Sequence, residues 1–228
     1  MTPRFHATPP EAVNETVREV VFIDDYAFHI ERPTDSDKLF DHPWVRSAYA
    51  ADEYTPYWAS LWPSARMLAK VVVREQWNAY PQPVRVLEVG CGLGLTGIAC
   101  LACGLSVTFS DVDETALTFA TANARLNGFT DFRTQLLDFR YPPGAKYAVV
   151  IGSDLIYQDQ LVVPLTRLLA AVLAPGGVCL VTDPDRPTCR RFVWHLAEVK
   201  LKVETDTLRL DDAAGGIAGT LYRIRNTT

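Results

Sequence analysis

Between residues 86 and 97 the chain reads Val86-Leu87-Glu88-Val89-Gly90-Cys91-Gly92-Leu93-Gly94-Leu95-Thr96-Gly97: an apolar run, three alternating glycines and a second apolar start. Such a segment is a buried strand, a loop and the beginning of a helix. Glycines at the carboxyl end of a strand let bare backbone approach a ligand, and amides at a helix start favour carboxylate or phosphate groups. Read from Gly92 the residues spell G-x-G-x-x-G, the dinucleotide fingerprint; read from Glu88 they spell E-x-G-x-G-x-G. Asp111 ends the next apolar run about twenty residues on, where an acid can take both hydroxyls of a ribose. Asp111 and Asp113 both also stand where either can cap the helix that follows. Asp138-Phe139 and Asp154-Leu155-Ile156-Tyr157 close two later apolar runs, where an acid serves as a turn residue, a helix cap or a ligand contact.

Bringing these residues together requires strands whose ends converge. From Val84 onward short apolar runs alternate with amphipathic segments of helix length, which implies successive β-α units and a parallel, doubly wound sheet. The pattern predicts strands at residues 85–89, 106–110, 132–137, 147–153 and 178–182, with helices near 95–103, 114–126, 160–172 and 187–198. The expected order of these strands is 3-2-1-4-5. Pro175-Gly176-Gly177 marks a helix-to-strand turn before the fifth. Residues 200–210 and 219–225, separated by DDAAGGIA, suit an antiparallel hairpin at the end of the sheet. The expectation is an α/β fold with a Rossmann-like seven-stranded sheet, mostly parallel, closed by that C-terminal hairpin. Upstream, EVVFIDDYAFHI predicts an N-terminal β-hairpin extension near residues 19–30, turning at Asp24-Asp25. An aromatic run from Tyr54 to Trp62 then precedes Pro63, which suits the first turn of a helix.

At 228 residues, 48% apolar and 21% charged, the chain can bury one sizeable core, and a single domain spanning 1–228 is expected. Its 22 basic and 27 acidic residues leave a net charge of -5, so no general positive field would hold a phosphate backbone and nucleic-acid binding is disfavoured. No run is apolar enough for a signal-peptide core or a membrane span, which makes a cytoplasmic location the expectation. The five cysteines are odd in number and sit mostly in apolar segments, as reduced thiols do. Cys100 and Cys103 form a lone C-x-x-C without a second ligand pair, so no metal site is expected. His195, on a predicted helix far along the chain, reads as a surface or core histidine.

Read from Glu88, the glycine segment resembles that of the class I methyltransferases, which use S-adenosylmethionine and release S-adenosylhomocysteine. The resemblance covers roughly residues 54–225, the cofactor-binding and catalytic core, and leaves 1–53 as an accessory extension. It implies that Gly90, Gly92 and Gly94 pass under the methionine and ribose, that Glu88 anchors the loop and its ligand region, and that Asp111 binds the ribose. It further implies that Asp138 meets the adenine amino group while Val112 and Phe139 cover the two ring faces. In enzymes that methylate exocyclic amines of nucleic-acid bases, two prolines follow the acid at the end of the fourth strand; Leu155-Ile156 stands here instead. Asp154-x-x-Tyr157 resembles the D-x-x-Y group, methyltransferase family 16, whose members largely modify lysines in proteins. Pro56-Tyr57-Trp58-Ala59-Ser60-Leu61-Trp62-Pro63 resembles the aromatic segment of the branch containing the lysine methyltransferase of the electron-transfer flavoprotein β subunit. That implies a Trp62 packed near the cofactor and covering it. Ser64-Ala65 replaces the two glycines this branch tends to carry after the proline.

The implied chemistry is an in-line displacement in which an amine lone pair attacks a methyl group on a sulfonium, with no nucleophilic residue and no metal. The protein then supplies alignment and a dry site. Asp154 would hold the amine and Tyr157 would form a hydrogen-bonding or stacking wall beside it. The leading expectation is a protein substrate presenting a lysine, with the N-terminal hairpin and the 40s to 50s segment shaping its groove. Asp24, Asp25, Asp52 and Glu53 would either meet a basic target or remain solvated. A small amine or pyridine-like acceptor, an NAD-dependent oxidoreductase built on the overlapping G-x-G-x-x-G, and a noncatalytic binding module stay open beside it. No membrane partner is expected.

Overall fold

Val86, Leu87 and Val89 are buried because their strand, β3 (Arg85–Val89), has parallel neighbours on both sides and helices over both faces. A strand covered on both faces carries a continuous apolar run in place of an alternation. The computed structural model describes residues 5–9, 12–13, 15–80, 82–210 and 216–226. In it β3 pairs with β4 (Ser106–Asp111) and β6 (Tyr147–Ser153); outside these lie β5 (Arg133–Leu136) and β7 (Leu173–Asp183), then β9 (Ile217–Asn226) and β8 (Leu201–Leu210). The order is β5-β4-β3-β6-β7-β9-β8, with the first five strands parallel and β9 antiparallel to both neighbours. This is the α/β sheet with a C-terminal antiparallel hairpin that the sequence predicts. Residues 211–215 of the hairpin turn lie outside the described residues.

The chain passes from β3 to β4 on one side and later returns to β6 on the other. The strand order therefore reverses at β3, and a crevice opens beyond its carboxyl end. Two cores clamp the sheet. α3 (Pro63–Arg74), α4 (Leu95–Ala102) and α5 (Glu114–Leu126) cover one face, burying Leu68, Val72, Ile98 and Phe109. α6 (Asp159–Val172) and α7 (Cys189–Glu198) cover the other, burying Leu165, Leu168, Phe192 and Leu196. His195 lies in the last turn of α7 against the Trp194 ring. Among the described residues no helix is long and apolar enough to cross a membrane.

The structure departs from the sequence pattern in two places. β7 begins at Leu173, directly after α6, because the fully buried Leu173 pairs with Tyr147 before the register shifts and resumes at Val149 and Val178. Pro175, Gly176 and Gly177 thus sit in an irregularity inside the strand, not in a turn ahead of it. Residues 33–43 and their neighbours, punctuated by proline and aspartate, hold two helices, α1 (Ser36–Phe40) and α2 (Pro43–Asp52). Asp35 caps the first through Lys38 N at 3.0 Å, and Pro43 takes the first turn of the second. α2 buries only Val45, so its apolar period is too weak to read.

The N-terminal hairpin, β1 (Thr16–Ile23) and β2 (Tyr26–Pro33), is a separate two-stranded sheet. Its β2 edge is met by side-chain amides of α5. Asn123 Oδ1 accepts from Glu31 N at 2.7 Å and Asn123 Nδ2 donates to Glu31 O, while Asn127 does the same for His29 at 2.9 and 2.7 Å. Asn123, fully buried, also donates to Leu93 O at 3.0 Å and so ties the hairpin to the glycine loop. Asn123→Ala leaves those backbone groups without partners, at about 1–3 kcal/mol for each group that stays dry. Urea denaturation is expected to show a loss of about 3 kcal/mol; a loss below about 0.5 kcal/mol would mean that water replaces the amide.

Candidate active site

The chain leaves β3 through Gly90, Gly92 and Gly94 at φ +60°, +50° and +82°, all in the left-handed region that favours glycine. At Gly90 a Cβ would also fall 2.6 Å from Leu155 Cδ2. The loop is braced from below: Cys91 N donates to Ser110 O at 2.9 Å, and Gly92 N donates to Asp111 Oδ2 at 2.9 Å. Glu88 lies under the start of α4, where its Oε2 accepts from Gly97 N at 3.1 Å. Burial pushes the Glu88 carboxyl up to about 8, against the lowering effect of that hydrogen bond.

Asp111, at the tip of β4, is 8% exposed; its Oδ1 accepts from Asp113 N at 3.1 Å, so both oxygens already hold backbone amides. Burial raises it to about 6. The capping role falls to Asp113, whose Oδ1 accepts from Thr115 N at 2.7 Å at the start of α5. Asp113 is also a buried hub, with Oδ2 accepting from Thr8 Oγ1 at 2.7 Å, from Trp58 Nε1 at 3.0 Å and from the Tyr54 hydroxyl. Through it the N-terminal segment crosses the tip of β4. His6 N donates to Val112 O at 3.0 Å, and the His6 ring stacks on Tyr54 at 3.9 Å.

Asp138 follows β5 and is 5% exposed, gripped by Arg140 through Nε at 2.8 Å and Nη2 at 2.6 Å; Phe139 follows it into the cavity wall. Asp154 ends β6 in a left-handed conformation, φ +56°. Its Oδ1 lies 2.9 Å from Arg186 Nη1, and its Oδ2 is buried without a hydrogen-bond partner. Ser64 Oγ at the start of α3 is likewise buried, and its hydroxyl faces Asp154 as a hydrogen-bond donor that lowers the carboxylate pKa. Burial outweighs Arg186 and raises Asp154 above the usual carboxylate range. Tyr157 stands edge-on to Tyr57 at 5.1 Å, and Tyr57 is edge-on to Trp62, whose Nε1 donates to Tyr57 O at 2.8 Å. Burial raises the Tyr157 hydroxyl.

All eleven sequence-predicted positions, Trp62, Glu88, Gly90, Gly92, Gly94, Asp111, Val112, Asp138, Phe139, Asp154 and Tyr157, line one cavity of about 700 Å³, within the range of small-molecule sites. Bare glycine backbone forms its floor, acids stand at the tips of β4 and β6, and aromatic rings flank the Asp154 end. That arrangement can hold a polar, ribose-bearing molecule beside a second, basic one. Among the described residues no member of the hairpin lines the cavity. Asp24 is instead chelated by Arg74 of α3 at 2.6 and 2.8 Å, whereas Asp52 and Glu53 do line the cavity. Sequence reasoning missed His6, Ser64, Arg140 and Arg186. Arg140 lies two residues from Asp138, a spacing that signals a local ion pair; Ser64 directly follows the aromatic segment, where the sequence marks it only as a replacement for glycine, and His6 and Arg186 arrive from distant segments that carry no motif.

Comparison with known proteins adds an independent line. A family model described as lysine methyltransferase matches residues 52–197. The chain is 35% identical over 109 residues to a ribosomal protein L11 methyltransferase of Syntrophotalea carbinolica, covering 47% of this chain and 34% of that protein. It is 30% identical over 138 residues to the electron transfer flavoprotein beta subunit lysine methyltransferase of Xenopus laevis, covering 58% and 53%. It thus spans about a third to a half of the length of these relatives. Among solved structures, magnesium protoporphyrin IX methyltransferase from Synechocystis PCC 6803 with bound SAH shares the fold, with a TM-score of 0.56 and 16% identity over 71% of this chain and 83% of that one.

Proposed function

Because the chain belongs to the lysine methyltransferase family, whose model covers residues 52–197, we propose that it is an S-adenosylmethionine-dependent N-methyltransferase that methylates a lysine side chain of a protein. The observation that carries the acceptor reading is Asp154 Oδ2, a buried carboxylate oxygen without a partner at the tip of the strand beside the glycine loop. A buried acceptor of this kind costs free energy unless something fills it, and an amine does. Family membership leaves the nicotinamide reading without support.

The donor fits the residues present. Gly90, Gly92 and Gly94 offer bare backbone and Glu88 braces the loop; of the other residues lining the cavity, Asp111 would hold the ribose, Val112 and Phe139 would cover the adenine ring, and Asp138 and Trp62 would close the wall around it. When bound, S-adenosylmethionine supplies a methyl group on a positively charged sulfur, an electrophile that needs no further activation. The chain's own residues do the rest. Trp62, Tyr57 and Tyr157 form an aromatic wall at the Asp154 end, Asp154 orients the amine, and the apolar surface of that wall disfavours its ammonium form, whose ordinary pKa is near 10.4. The five free thiols suit a reducing cytoplasm.

Incubating the protein with labelled donor and a methylation-deficient extract, followed by mass spectrometry, tests this reading. Label on a protein lysine is expected; label only in a small-molecule fraction, or on a residue other than lysine, would overturn the acceptor assignment. Asp111→Ala removes the brace on Gly92 together with the ribose contact. Calorimetry is expected to show S-adenosylhomocysteine affinity reduced at least about tenfold, one charge-assisted hydrogen bond's worth. Unchanged affinity would take Asp111 out of the donor site.

A further inference from the structure

Arg186 lies on the loop after β7, and its Nη1 spans two acids, Asp154 Oδ1 at 2.9 Å and Asp183 Oδ2 at 2.7 Å. Its backbone N–H donates to Asp183 Oδ1 at 2.9 Å, so the loop fixes where the guanidinium points. Asp183 is fully buried, and the Asp154 side chain is 10% exposed. Arg186 is the cation placed between these two carboxylates. With Arg186 in place, the group carries one net negative charge.

Resting on the amine-holding role proposed for Asp154, we infer that Arg186 is a positioning residue for the acceptor: it occupies Asp154 Oδ1 and leaves Oδ2, beside the Ser64 hydroxyl, to face the amine. The titratable and charged groups around the site are Asp183 on β7, with Cys189 Sγ donating to its Oδ1 at 3.1 Å, Asp185 on the Arg186 loop, Tyr157 after β6 and Tyr57 across from it, and, farther along the cavity, Glu88, Asp111, Asp138, Arg140, Asp52, Glu53 and His6. Of these, Asp183 raises Asp154 through like charge while Arg186 lowers it.

The test is the pH profile of the initial rate at which label from S-adenosylmethionine enters extract protein, for wild type, Arg186→Met and Arg186→Lys. Arg186→Met is expected to lower the rate at pH 7 at least tenfold and to move the acidic limb upward by about one pH unit, with S-adenosylhomocysteine affinity within about threefold of wild type; Arg186→Lys, which keeps the charge but not the fork, is expected to restore part of both. A uniform loss at every pH with an unmoved limb, or no loss, would overturn the inference. If Arg186→Met fails to bind S-adenosylhomocysteine because it does not fold, Arg186→Lys decides by the position of its limb alone. If wild type labels no protein, the proposed function fails by itself, and carboxyl 13C NMR then decides the role of Arg186. An Asp154 titration moved upward by about a unit in Arg186→Met supports it, and an unmoved one refutes it.

Discussion

Asp154→Asn is expected to lower kcat/KM for the protein acceptor roughly 100-fold while leaving S-adenosylhomocysteine affinity within about threefold of wild type. The size follows from losing a hydrogen bond to a charged group in a dry site, about 3 kcal/mol, or two factors of ten in rate. Asparagine is the informative replacement because Asp154 sits at φ +56°, a conformation that Asn tolerates and alanine does not. Asp154→Ala is expected to show the same loss of turnover together with a stability loss of about 1 kcal/mol from the left-handed backbone. The comparison separates charge from strain. Initial-rate assays on the labelled acceptor, with calorimetry of the product nucleoside on the same preparations, give both readings. Wild-type kcat/KM in Asp154→Asn would remove Asp154 from the acceptor site, and a parallel loss of nucleoside affinity would move it to the donor site.

The parts of the molecule legible in the sequence are those governed by short-range pattern. β3 and β6 are mostly apolar because both faces are covered, with Glu88 the buried acid in β3, and their bounds emerge residue for residue. The glycines are legible because three left-handed positions in one loop exclude other residues. What stays hidden is what distant segments contribute. His6 reaches the cavity only because Thr8 and Tyr54 converge on Asp113, more than a hundred residues from the first and nearly sixty from the second. Arg186 acquires its meaning from Asp154, across a β-α-β unit. α2 escapes notice because it buries a single side chain and so prints no period. The hairpin is visible as a hairpin, yet its position away from the cavity is set by Asn123 and Asn127, ordinary helix-surface residues by sequence.

Glu88→Gln is expected to stabilise the free protein at alkaline pH and to weaken its binding of S-adenosylhomocysteine. In the folded chain burial lifts the Glu88 carboxyl from its ordinary 4.5 to about 8. Below about pH 4.5 the group is protonated in both folded and unfolded chains and costs nothing. As pH rises from there to about 8, the unfolded chain releases a proton that the folded chain retains, so stability falls; above about 8 the loss levels off. A shift of this size corresponds to roughly 4–5 kcal/mol, with about a unit of latitude. Asp111, raised to about 6, adds to the decline in the lower part of the same window, and its charge adds to the cost of ionising Glu88. Glutamine keeps a carbonyl oxygen for Gly97 N and removes the titration. Urea denaturation at pH 5, 7 and 8.5 is therefore expected to give Glu88→Gln an advantage of about 1 kcal/mol or less at the lowest pH and about 4 kcal/mol at the highest. Parallel pH profiles would show that Glu88 is not the group responsible. An acid kept at such a cost beneath a glycine loop needs a compensating role, and the binding measurement on the same variant supplies the decision. Weakened affinity for the nucleoside identifies an acid kept for its ligand, and unchanged affinity identifies one kept only to hold Gly97 and the start of α4.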